Sequence, residues 1–144
     1  MQQLFQGLLV AGQLQADDFR LAKKKGVRTI INNRPDGEDV GQISSAEAKI
    51  LCDELGIEYH YLPMENGKPL PDGLVEQVSA VTNNADGIVL THCRSGMRST
   101  ILWALDKVSK GELTSDEAFA CANNAGINLT QIKPQLDLIE HNLL

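Results

Sequence analysis

His92-Cys93-Arg94-Ser95-Gly96-Met97-Arg98-Ser99 concentrates a thiol, two guanidinium groups, two hydroxyls and a glycine in one short stretch. The stretch lies between an apolar run from Gly87 to His92 and a helical apolar face made by Ile101, Leu102, Leu105 and Val108. A turn from a strand into a helix start leaves backbone N–H groups without intrahelical acceptors, and it adds the positive end of the helix dipole. Such a turn receives an anion without further help. Gly96 allows dihedrals closed to other residues, and Arg98 offers a planar fork for two oxygens. The same positive field favours a nucleophilic Cys93 thiolate. Arg94, Ser95, Gly96 and Met97 make up the remainder of the anion-binding loop. Ser99 is expected to donate a hydrogen bond to that thiolate or to a leaving sulfur.

A plainer reading of Cys93 is a buried cysteine in a tight turn, since free cysteine is among the most buried residue types. The other two cysteines argue against it by contrast. Cys52 shares helical spacing with Ala48, Leu51 and Leu55, and Cys121 shares it with Ala118, Ala122 and Ala125, so both are expected to pack in cores. Only Cys93 is followed by two arginines and a glycine. His92 has two readings, a tuner of the thiolate or a structural hydrogen-bond donor, and no proton transfer is assigned to it. Arg34, in the polar stretch from Asn33 to Asp39, also has two: it reaches over the anion site, or it pairs with Glu38 or Asp39 and orders the loop.

The elements that position these residues are legible in outline. Leu8 to Val10 is a short apolar run, Asp17 to Lys25 reads as a helix closed by Gly26, and Val27 to Asn32 reads as a strand. Ser44 with Glu47 forms a capping box ahead of a helix that runs to Gly56. Ile57 to Leu62 reads as a strand, and Pro63 to Pro71 as a long loop. Asp72 is placed to cap a helix through Leu74, Val75, Val78 and Val81. After the helix that ends near Gly111, Thr114 with Glu117 repeats the capping box, and a last helix is expected from Pro134 to Leu143. This alternation predicts an α/β fold with a mainly parallel sheet flanked by helices and ligand chemistry at the carboxyl ends of the strands.

The sequence has 144 residues, 42% hydrophobic and 22% charged, which suits one domain over 1–144. A net charge of −6 argues against nucleic-acid and anionic-membrane partners. The basic run Lys23-Lys24-Lys25 falls at a helix end, where cations suit the dipole. Met1-Gln2-Gln3-Leu4 lacks the pattern of a secretory leader, no stretch is long and apolar enough to span a bilayer, and three cysteines fit a reducing compartment. A cytoplasmic location is the expectation. No zinc-type Cys/His spacing occurs, and the chemistry proposed for Cys93 requires neither metal nor cofactor.

Three segments carry a family resemblance: Ala11-Gly12-Gln13 with Asp17-Asp18-Phe19, then Ile31-Asn32-Asn33-Arg34-Pro35-Asp36-Gly37-Glu38, then His92 to Ser99. Together they resemble the beta-lactamase-hydrolase-like phosphatase family, whose fold is that of the dual-specificity and tyrosine phosphatases. The resemblance implies a phosphate loop in which Cys93 is the nucleophile and Arg98 grips the phosphoryl oxygens. The implied substrate is a phosphorylated small molecule or a phosphoprotein, phosphotyrosine among the options.

Two departures from that pattern keep alternatives open. Typical tyrosine phosphatases have one residue more between cysteine and arginine, and Cys-Arg-Ser-Gly-x-Arg-Ser also resembles the active-site loop of rhodaneses, which implies sulfur transfer through a Cys93 persulfide. The position of the phosphatases' acid aspartate falls near Asn66, which cannot give a proton. Glu65, Asp72 or Asp36 would have to act in its place, and Glu65 and Asp72 are the two put forward as catalytic. Each has a bland alternative, as a solvated loop residue, a helix cap and a turn residue respectively. A third reading is a phosphate-binding module without turnover.

Overall fold

The computed structural model describes residues 1–144. Its first two strands, β1 (Gln2–Phe5) and β2 (Leu8–Ala11), form an antiparallel hairpin that turns at Gly7, where φ is +75°. Then follow α1 (Ala16–Lys24), β3 (Val27–Asn32), α2 (Ser45–Leu55), β4 (Glu58–Tyr61), α3 (Leu74–Asn84), β5 (Ile88–His92), α4 (Met97–Ser109), α5 (Ser115–Asn124), a 3-10 turn (Thr130–Ile132) and α6 (Lys133–His141). The sheet order is β1-β2-β5-β3-β4, and every pairing beyond the hairpin is parallel. The α/β expectation therefore holds. β1 has no counterpart in the sequence reading, because Gln2-Gln3-Leu4-Phe5 offers only one fully buried apolar side chain, too little for a two-residue period.

Strand alternation divides the core between the two faces. On β3 and β5, Ile30 and Leu90 pack with Phe19, Ala22 and Cys52 beneath α1 and α2. Their neighbours Ile31 and Val89 pack with Leu102, Trp103, Ala122 and Leu136 beneath α3 to α6. Central strands covered on both faces explain the continuous apolar runs, since parallel sheets are buried on both sides. The larger of these side chains, Phe19, Ile30, Ile31, Val89, Leu90, Leu102 and Leu136, each contribute about 1.5–3 kcal/mol through removal from water. Cys52 lies inside this packing, as expected. Cys121, half-buried, packs beside the other core.

Both capping boxes form: Ser44 Oγ accepts from Glu47 N, and Thr114 Oγ1 from Glu117 N, each at 3.1 Å. Asp72 does not cap α3. Gly73, with φ +80°, is the N-cap residue and α3 has no side-chain cap, while Leu74 N donates to Pro71 O at 3.2 Å. The backbone turn at Gly73 supplies the start that the aspartate was expected to make.

The sheet register sets up the site. Ala11 pairs with His92, and Asn32 pairs with both His92 and Tyr61, so β2, β5, β3 and β4 end level with one another. The first residues past three of those ends are Gly12, Cys93 and Asn33.

Candidate active site

Cys93 is fully buried at the base of the turn between β5 and α4. Its sulfur accepts from Gly96 N at 3.1 Å, and Gly96 takes φ +94° to make the turn. That conformation requires glycine, and a Cβ there would also press on the end of the Ile127 side chain, 2.9 Å from its Cδ1. The backbone N–H groups of Arg94, Ser95, Arg98 and Ser99 have no protein acceptor, whereas Thr100 N returns to Gly96 O at 3.1 Å. A set of donors without protein acceptors therefore lies in the turn that follows the thiol and at the start of α4.

Arg98, 4% exposed, is held along one edge. Its Nη1 donates to Glu38 Oε2 at 2.9 Å and to Met64 O at 2.8 Å, and its Nη2 donates to Glu38 Oε1 at 2.9 Å. These bonds use three of the five guanidinium N–H groups. The two left over, on Nε and Nη2, share the opposite edge, which is a fork suited to two anionic oxygens. Sequence reasoning pairs Glu38 with Arg34 alone; the structure adds Arg98. Met64 acts through its carbonyl, which no side-chain pattern reveals.

Arg34 follows the loop-ordering reading. It is 2% exposed, and its guanidinium donates to Glu38 Oε1 at 2.8 Å, Gln13 Oε1 at 2.9 Å and Asp39 Oδ2 at 2.6 Å. It does not reach over the anion site but acts on it through Glu38, which bridges the two arginines. Hydrogen bonds from Arg98 hold the Glu38 carboxyl below the ordinary glutamate range; burial opposes this, and Arg34 adds to it. Glu38 is accordingly ionised and ill suited to giving up a proton.

Ser99 corrects a second expectation. Its hydroxyl donates to Asn33 Oδ1 at 2.7 Å rather than to the Cys93 sulfur. Asn33 also accepts from Thr91 Oγ1 at 3.1 Å and donates to Leu62 O at 2.8 Å, so one buried amide ties α4, β5 and the end of β4 together. Its backbone carbonyl accepts from Met64 N at 2.9 Å, which places the carbonyl that holds Arg98. Two asparagines closing an apolar strand were the sequence signal for this hub. Ser95 is exposed, and its hydroxyl accepts from Met97 N at 3.4 Å. Met97 packs against the core formed with α3 to α6.

His92 is 1% exposed, and burial pushes its imidazole down to about 4, with the Arg34 charge adding to the effect against a hydrogen bond to Cys93 O. A neutral ring at ordinary pH supplies no cation to the thiolate. Its Nδ1 lies 3.3 Å from Cys93 O, the structural use of this side chain.

The acidic residues differ in placement. Asp36 Oδ1 and Oδ2 accept from Ser45 N at 2.8 Å and Ser45 Oγ at 2.7 Å, which fixes the carboxylate at the start of α2. Glu65 is half exposed and pairs with Lys68 at 2.7 Å. It lines a groove of about 570 Å³ with Pro35, Asp36, Tyr61, Pro63, Lys68, Pro69 and Pro71. Neither Met64 nor Arg98 lines this groove; Met64, whose carbonyl holds Arg98, lies between the lining residues Pro63 and Glu65 along the chain. Asp72 is exposed and lies beyond Pro71, outside the groove lining. Arg94 extends into solvent, with Asp39 Oδ2 3.6 Å from its Nε. No group of three or more His, Cys, Asp or Glu side chains converges to hold a metal, and no helix is long and apolar enough to cross a membrane.

A parallel sheet covered on both faces, with a cysteine-to-arginine loop between its central strand and a helix, defines the class of phosphatase-like domains with a tyrosine-phosphatase-type fold. Residues 1–110 match the family of the beta-lactamase hydrolase-like protein, phosphatase-like domain, and the chain belongs to that family. A beta-lactamase hydrolase-like protein of Xylella fastidiosa is 31% identical over 122 residues, 85% of this chain. That of Agrobacterium fabrum is 28% identical over the same length. The chain spans about 28% of the length of these curated relatives. Among solved structures, a phosphatase candidate from Neisseria meningitidis superposes with a TM-score of 0.86 at 29% identity, covering 96% of both chains. The fold also matches Tk-PTP in its active form, with a TM-score of 0.70 at 15% identity over 97% of this chain and 95% of that one.

Proposed function

We propose that the domain hydrolyses phosphate monoesters through a cysteinyl-phosphate intermediate. The observation that carries this reading is that Arg98's Nε/Nη2 edge and the N–H groups of Arg94, Ser95, Arg98 and Ser99, in the turn that begins at Cys93, all lack protein acceptors. Three equatorial oxygens developing charge need such a preorganised set of donors. The Cys93 thiolate attacks phosphorus, an S–P bond forms, and the P–O bond to the leaving group breaks. The leaving oxygen takes a proton from Glu65. Water then attacks phosphorus, returns a proton to Glu65 and releases inorganic phosphate with the thiolate restored. Glu65 is preferred over Asp72 because it adjoins the carbonyl that holds Arg98 and lines the groove. The substrate is a phosphorylated small molecule or a phosphoprotein, with phosphotyrosine among the second group.

Sulfur transfer through a Cys93 persulfide is the second reading. The feature that favours it is the short turn, in which Gly96 N already lies 3.1 Å from the sulfur. One paired experiment separates the readings: turnover of an aryl phosphate with orthovanadate as competitor, and intact mass after thiosulfate. Phosphatase turnover that disappears in Cys93→Ser is expected. A stable gain of one sulfur on Cys93, discharged by cyanide and without phosphatase turnover, would replace it with the rhodanese-type reaction. Phosphate binding without either activity would leave a binding module.

A further inference from the structure

Ala11-Gly12-Gln13, at the end of β2, belongs to none of the steps above, yet it touches the loop at both of its ends. Gln13 N donates to Arg94 O at 3.0 Å, and Ala11 O accepts from Cys93 N at 3.4 Å. A trans peptide points its C=O and the following N–H to opposite sides. Fixing the Arg94 carbonyl toward Gln13 therefore turns the Ser95 N–H the other way, away from Gln13, where it has no protein acceptor. Gly12 permits the approach. A Cβ there would stand 2.7 Å from Arg94 O, too close for any side chain, although the Gly12 backbone itself has no positive φ and would accept alanine.

The Gln13 side chain reaches the other end of the loop. Its Oε1 accepts from Arg34 Nη1 at 2.9 Å, Arg34 Nε donates to Glu38 Oε1 at 2.8 Å, and Glu38 holds both Nη atoms of Arg98. One residue thus secures the Arg94–Ser95 peptide of the cradle by its backbone and, through Arg34 and Glu38, the arginine fork by its side chain. We propose that Gly12 and Gln13 are positioning residues that fix the Arg94–Ser95 peptide with its N–H toward the bound anion and, through Arg34 and Glu38, hold the Arg98 fork. The inference rests on the anion-cradle reading of the preceding section.

The test uses inorganic phosphate with the intact chain labelled with 15N. In the wild type the Ser95 amide resonance is expected to move downfield and saturate with phosphate, while that of Gln13, already bonded to Arg94 O, moves far less. Gly12→Ala, checked for a dispersed native spectrum, is expected to weaken phosphate binding by about ten-fold or more, the scale of one lost charge-assisted hydrogen bond. Gln13→Ala is expected to lower aryl phosphate kcat with little change in KM, and Gln13→Glu, which keeps an acceptor for Arg34, to restore most of it. Saturable phosphate binding with no movement of Ser95, or equal kcat in wild type and Gln13→Ala, would overturn the positioning role while leaving the cradle in place. No phosphate binding by the wild type would overturn the cradle reading itself and the inference with it. The wild-type titration decides the matter even where Gly12→Ala does not fold.

Discussion

Replacing Glu38 with glutamine changes one atom and removes the charge that two buried arginines share. Glu38 accepts from Arg34 Nε at 2.8 Å and from both Nη atoms of Arg98 at 2.9 Å, and its side chain is only 23% exposed. Glutamine keeps one acceptor oxygen and turns an NH2 donor toward a guanidinium donor. The two-point grip on Arg98 becomes one-point. Hydrogen bonds to charged groups contribute about 1.5–3 kcal/mol each, so the loss of one, reduced by partial exposure, gives about 1–2 kcal/mol of lost stability. Catalysis should suffer more, because a displacement of the fork by about 1 Å can cost on the order of 100-fold. Aryl phosphate turnover by Glu38→Gln is expected to fall about 10- to 100-fold in kcat, equivalent to about 1.4–2.7 kcal/mol in the barrier, with KM little altered. Steady-state kinetics beside thermal unfolding measures both effects. The reasoning predicts that Glu38 aligns the fork and does not compete with substrate, since the Nε/Nη2 edge is already open. A lower KM with unchanged or raised kcat would refute it, for that is the signature of a carboxylate occupying the substrate's place.

The thiols should sort by environment. Burial, with Asp53 adding, pushes Cys52 up to about 12, so it should resist iodoacetamide near neutral pH, while Cys93 reacts and inorganic phosphate protects it; mass mapping that finds Cys52 labelled first would contradict this. His92, pushed down to about 4 in the folded chain against an ordinary 6.5, makes the unfolded chain the stronger proton binder between those values. Its contribution is complete above about pH 6.5 and declines as pH falls toward 4, by about 3 kcal/mol in all. Urea unfolding across that range should show a steeper acid loss in the wild type than in His92→Gln, and parallel curves would count against it. Glu65→Gln should fail progressively as the leaving phenol's pKa rises, whereas a uniform loss across phenols would remove Glu65 as the acid.

The order of strands and helices, the two capping boxes and the loop from Cys93 to Arg98 were legible in the sequence because each is a local pattern. Periodicity, an N-cap with its partner three residues on, and a cysteine-glycine-arginine turn depend on neighbours along the chain. The core placement of Cys52 followed from helical spacing for the same reason. Where a residue's partners lie far along the chain, the sequence left alternatives that only the fold resolved. Ser99 faces Asn33, Arg34 faces Glu38, Asp39 and Gln13, and Arg98 faces Glu38 and a backbone carbonyl at Met64. Those pairings exist because parallel strands β2, β5, β3 and β4 end level and bring their following loops together. The sequence by itself determined that a thiol, a glycine and an arginine stand together at a strand-to-helix turn. Tertiary structure decided which edge of Arg98 remains free, because hydrogen bonds are directional and their long-range partners are set by sheet register, which one strand's sequence does not encode.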